Sequence, residues 1–126
     1  MFEESQAISL DLSSFDTSNV KYMNWMFSGS AATSLDLSSF DTSNVKDMSS
    51  MFSESQATNL DLSKFNTSNV IDMSWMFGNC SGLTSLDVSS FDTSQVTNID
   101  SMFCNCPAWD AVDKTKFASA NECHIS

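Results

Sequence analysis

Few side chains in this sequence could do covalent or metal chemistry. There is one histidine, His124, and there are four cysteines, Cys80, Cys104, Cys106 and Cys123. Cys104-x-Cys106 with Cys123-His124 collects soft metal ligands. Structural zinc sites, however, favour roughly two to four residues between paired cysteines, so the spacing argues against a metal. A serine-histidine-aspartate triad fails because His124 stands two residues from the end, where a fraying terminus cannot hold a base in geometry. Neither a phosphate-cradling glycine loop nor a dinucleotide fingerprint occurs. The sequence therefore predicts no enzyme, no cofactor and no metal centre.

What remains is carboxylates, aromatics and hydroxyls. Sixteen acidic residues stand against five basic ones in 126 residues, a formal net charge of −11. All five basic residues are lysines, at 21, 46, 64, 114 and 116. Without clustered cations there is nothing to release phosphate counterions, and without arginine there is no fork for guanine or phosphate, so nucleic acid is excluded as a partner. The same deficit argues against anionic membrane surfaces. No apolar run approaches the ~20 residues that span a bilayer, so no membrane insertion is expected, and no secretion-signal pattern is present. A 41% hydrophobic content still suffices for one compact core.

The elements that must position these groups follow from an internal repeat. Leu10-Asp11-Leu12 recurs as Leu35-Asp36-Leu37, Leu60-Asp61-Leu62 and Leu86-Asp87-Val88, in steps of 25, 25 and 26 residues. A phenylalanine follows each anchor, at 15, 40, 65 and 91. Then come Asp-Thr-Ser-Asn-Val or a close variant, a methionine or isoleucine at 23, 48, 73 and 99, and Met-Phe pairs at 26, 51, 76 and 102. Apolar recurrence at this period means that each unit buries its greasy side against its neighbours, which is the logic of a solenoid. Leu-Asp-Leu alternates with period two and predicts a short parallel strand with both leucines inward and Asp outward. Val20, Met23, Met26 and Phe27 are spaced i, i+3, i+6, i+7, which predicts a helical turn or short helix capped by Asp16, Thr17 or Ser18. The expected class is α/β, with about four coils over residues 1–106 and a C-terminal cap over 107–126; an all-β solenoid is the alternative.

Leu83-Thr-Ser-Leu86-Asp-Val88-Ser-Ser-Phe91, preceded by Met76-Phe77-Gly-Asn-Cys80-Ser-Gly-Leu83, resembles the leucine-rich repeats of BspA-like bacterial surface proteins. In that group a Phe-x-x-Cys element precedes a Leu-x-x-Leu-x-Leu strand, and the likeness covers roughly residues 1 to 106. The resemblance implies a right-handed leucine-rich-repeat solenoid on a cell-surface or secreted protein, an adhesive role toward a host or matrix protein or a glycan, and no catalysis. Ser30 and Ser55 stand where Cys80 and Cys106 do, a departure that interrupts any cysteine column.

Within the repeat, candidate contact residues separate from framework. Asp11, Asp36, Asp61 and Asp87 form an outward ladder about 5 Å apart, where each neighbouring pair repels by about 1 kcal/mol or less in water. That ladder is a solvated face, a docking strip for a cationic partner, or a set of weak divalent-cation sites. Tyr22, Trp25, Ile71 and Trp75 occupy positions that vary between repeats, Trp alternating with Ser50 and Ser101, and so predict either a surface aromatic patch or tryptophans lying flat over the turn and shielding it. Thr17, Thr42, Thr67 and Thr93 form a column that would template ordered water if it faced solvent. Cys104 and Cys123 are the expected disulfide, tying the tail to the last coil in an extracellular setting. Met1-Phe2 begins in mid-repeat, as expected of a piece of a longer array. Leu10, Leu12, Phe15 and Val20 would then lie open for self-association. A structural spacer within a larger adhesin is the rival function.

Overall fold

The structure is a computed structural model, describing residues 4–8, 10, 12–112, 114–117, 120 and 123. Successive repeats lie side by side, with equivalent residues bonded across each junction. Strand β1, Ser34–Leu35, pairs in parallel with β2, Asn59–Leu60, with Ser34 opposite Asn59 and Leu35 opposite Leu60. A second run of parallel bridges joins Tyr22 to Asp47, Asp47 to Asp72 and Asp72 to Asn98. The only helix among the described residues is a 3-10 turn, Pro107–Ala111.

The return path is not helical. From Met23 onward the backbone alternates between bonds to the next repeat and bonds to itself. Met23, Trp25, Phe27 and Gly29 donate N–H to the carbonyls of Asp47, Ser49, Met51 and Ser53 at 2.8–3.1 Å, whereas Met26, Ser28 and Ser30 close β-turns onto Met23, Trp25 and Phe27. The same alternation recurs from Met48 and from Met73. The turns closed by Met26 and Ser30 carry a left-handed residue at their third position, as a type II turn requires. Trp25, Ser50, Trp75 and Ser101 supply it with φ of 56–65°, and Gly29, Glu54, Asn79 and Asn105 supply it again four residues on. A right-handed helix cannot contain those angles. The expected helical turn is thus corrected to a chain of β-turns. Its capping residue is reassigned with it, because Asp16 accepts from the N–H and Oγ of Ser18 in a local turn instead.

The core is a set of columns running through the repeats. Leu35 and Leu37 face inward while Asp36 is exposed, and Leu60, Leu62, Leu86 and Val88 repeat the pattern. Phe27, Phe52, Phe77 and Phe103 stack ring on ring, with centroids 5.7, 5.7 and 5.4 Å apart. The C-terminal segment covers the end of this stack: Phe117 meets Phe103 edge-on at 5.6 Å, Phe103 donates its N–H to Ala120, and Ala108 bonds Leu83. Cys104 and Cys123 are joined by a disulfide, S–S 2.01 Å, with Cα atoms 5.0 Å apart. At the other end Leu12 is buried, whereas Leu10, Phe15 and Val20 are half-buried where their equivalents Leu35, Phe40 and Val45 are buried, so part of the apolar edge expected there is open.

Hydroxyls fasten the columns. Thr42 Oγ1 accepts the N–H of Asn66 at 2.8 Å and donates to the same residue's carbonyl at 3.0 Å. Thr17 binds Asp41 in the same way, and Thr67 binds Asp92. These threonines are buried, so the column presents no hydroxyl array to water. Ser30 and Ser55 each accept a backbone N–H, from Ala32 and Ala57, where the cysteine position recurs. Cys80 there donates to the Phe52 carbonyl instead. That position asks for a small buried side chain that satisfies backbone, and serine and cysteine both qualify.

Candidate interaction surface

Most polar residues are engaged in making turns. Each anchor Asp accepts the N–H of the serine two residues on: Ser38 to Asp36 at 3.0 Å, Ser63 to Asp61 at 3.0 Å, Ser89 to Asp87 at 2.9 Å. Serine hydroxyl and backbone bonds hold the Asp61 and Asp87 carboxyls below the usual carboxylate range, against the repulsion Asp87 feels from Asp61. Asp36, Asp61 and Asp87 are exposed and charged, in one column. Asp11 lies outside the described residues. No group of acidic, cysteine or histidine side chains able to hold a metal ion occurs among the described residues.

The two unpaired thiols sit where burial disfavours the thiolate. Cys80 and Cys106 are free and buried. Burial, reinforced by the charge Cys106 would carry, pushes the Cys80 thiol up to about 12, and burial raises Cys106 as well. A reactive cysteine needs the opposite shift. His124 lies outside the described residues.

Tyr22, Trp25, Ile71 and Trp75 lie outside the hydrophobic core. Trp25 is 48% exposed and Trp75 half-buried; the two line one groove of about 350 Å³ with Ser50, Ser53, Glu54 and Asn79. Two repeat steps separate the tryptophans, on the order of 10 Å at strand spacing. The ring of Trp75 rests on the backbone of Gly78, since a Cβ there would fall 2.5 Å from its Cε3. Tyr22 and Ile71 are exposed but do not line this groove. They stand on the neighbouring ladder, Tyr22 bridged to Asp47 and Ile71 bonded to Lys46 and Thr97. The Asp ladder lines a different groove, in which Asp61 and Asp87 flank Leu60 and Leu86. The four aromatic and aliphatic candidates therefore divide into a tryptophan pair and two separate positions, and the tryptophan groove is distinct from the one that Asp61 and Asp87 line.

A protein-family model described as "Mycoplasma protein of unknown function, DUF285" matches residues 1–117. The chain belongs to this family. No curated protein and no solved structure matches it. The DUF285 match runs through all the repeats and into the segment that covers their end. In this DUF285 chain Ser50, Glu54 and Asn79 belong to the tryptophan groove although sequence reasoning had not chosen them. The available signal was the alternation Trp25, Ser50, Trp75, which leaves a gap of one small residue between two large ones.

Proposed function

We propose that this chain is a non-catalytic scaffold, a right-handed leucine-rich-repeat solenoid of a bacterial surface or secreted protein, and that it recognises a host or matrix protein or a glycan. The observation carrying the reading is the division of labour in each repeat. Leucine, phenylalanine and methionine fill the core, and Asp, Ser and Thr close turns or staple neighbours, while Trp25 and Trp75 stand outside the core. Large aromatics at a surface concentrate binding energy. A rigid support also reduces the ordering cost of association.

The test is a binding screen of the whole chain against matrix proteins and glycans, with the double variant Trp25→Ser, Trp75→Ser. Serine occupies the equivalent positions 50 and 101, so the double variant retains the wild-type melting profile. Loss of partner binding is the expected result. Unchanged binding would move recognition to the Asp ladder or the ends, and no binding to any probe by the unmodified chain would support the spacer role instead.

A further inference from the structure

We propose that the groove between Trp25 and Trp75 is a subsite for a neutral or amino-bearing pyranose, which deepens the recognition role above and rests on it. The floor supplies the main argument. Ser50 lines the groove and is only 6% exposed, yet its hydroxyl has no bond among the described residues, while no buried side-chain oxygen or nitrogen among them lacks a partner. The Ser50 oxygen therefore opens into the groove, where it can both donate and accept. Buried hydroxyls elsewhere in the repeats are paired: Ser28 with Ser53 at 2.9 Å, Thr42 with Asn66, Ser55 with Ala57.

The walls and rim complete an amphipathic site. Trp75 is held in place against Gly78, and both tryptophans sit at left-handed turn positions that disfavour bulky side chains, although serine serves there in the intervening repeat. Asn79 accepts from Asn105 Nδ2 at 3.0 Å, which leaves its own amide N–H groups as donors, and Glu54 is exposed with no ion pair among the described residues. A pyranose matches this set: its C–H face lies on an aromatic face and its equatorial hydroxyls reach serine, amide and carboxylate. The groove volume falls at the lower end of the roughly 300–1,000 Å³ range of small-ligand sites. A quaternary ammonium would suit the tryptophans and Glu54 but would leave Ser50 and Asn79 unused. The net charge of −11 and Glu54 together reject sialylated or sulphated sugars.

The experiment uses the full 126-residue chain, a printed array of neutral, amino, sialylated and sulphated glycans, and titrations followed by ligand-observed saturation-transfer NMR. Methyl β-glucopyranoside, diacetylchitobiose and tetramethylammonium serve as soluble probes. Saturable binding of neutral or amino sugars, with transfer to ring C–H protons, is expected. It should vanish in Trp25→Ser and in Trp75→Ser and weaken about 2- to 10-fold in Ser50→Ala. Circular dichroism melts confirm that each variant folds. Sugar binding that survives both tryptophan variants, preference for anionic glycans, or binding of tetramethylammonium alone overturns the subsite. So does an absence of sugar binding, and if protein partners still require the tryptophans in that case, the scaffold reading stands while the pyranose assignment falls.

Discussion

Replacing Thr42 by valine removes one oxygen at nearly constant volume, and the structure says what that oxygen does. Thr42 is 1% exposed, and its hydroxyl takes both backbone groups of Asn66 in the next repeat, at 2.8 and 3.0 Å. Valine leaves both without a protein partner. An unsatisfied buried group costs about 1–3 kcal/mol. The Asn66 residue is itself exposed, so water recovers part of the loss and the expected destabilisation is about 1–2 kcal/mol. With a urea slope of about 2 kcal/mol/M, the midpoint should fall by roughly 0.5–1 M. Thr93 is an internal control: it holds the same place in the last repeat, is half-buried, and has no hydroxyl bond to another repeat among the described residues. Thr93→Val should shift the midpoint by less than about 0.25 M. Equal effects at the two positions, or a neutral Thr42→Val, would refute the idea that this column staples the repeats.

Two further outcomes follow from the same packing. Phe52 is fully buried between Phe27 and Phe77, so Phe52→Ala should cost about 3–5 kcal/mol and lower the melting temperature by roughly 10–20 °C; a drop under about 5 °C by calorimetry would contradict the stacked core. Serine bonds hold the carboxyls of Asp16, Asp41, Asp61, Asp87 and Asp92 below the model-compound value of 3.8. Their stabilisation is therefore complete above that value, and it disappears as pH falls past it, because the unfolded chain takes up protons first. Thermal melts should be flat from pH 7 to about 5 and decline below about 4; stability that rose on acidification through that range would show the turn bonds to be immaterial.

How much of this was legible in the residues depends on what period and spacing can encode. The inward place of Leu35, Leu37, Phe40, Met48 and Phe52 is written in the 25-residue recurrence, because burial repeats with it. The conformation between Val20 and Phe27 is not. Apolar spacing of i, i+3, i+6, i+7 records which residues point inward, and a chain of β-turns with left-handed residues at 25 and 29 satisfies it as well as a helix does. Left-handed angles are readable where glycine or asparagine marks them, as at Gly29, Asn79 and Asn105. Trp25, Ser50 and Trp75 carry no such mark. The threonines misled for another reason: polar residues read as surface, and the backbone that satisfies Thr42 lies 24 residues away in the chain.

The tryptophan groove follows from the same limitation. A single repeat contains one wall of it, and the floor belongs to the repeat between, so no window of one period displays the site. Trp25, Ser50 and Trp75 come together only because equivalent positions are brought into register by bonds such as Trp25 N–H to the Ser49 carbonyl and Ser50 N–H to the Ser74 carbonyl. Those bonds involve backbone alone and are indifferent to the side chain displayed. A framework whose junctions are made by main chain, threonine and phenylalanine can thus exchange tryptophan for serine at one position without altering its stacking. Position 25 and its equivalents are where such an array can change the surface it presents while keeping how it folds.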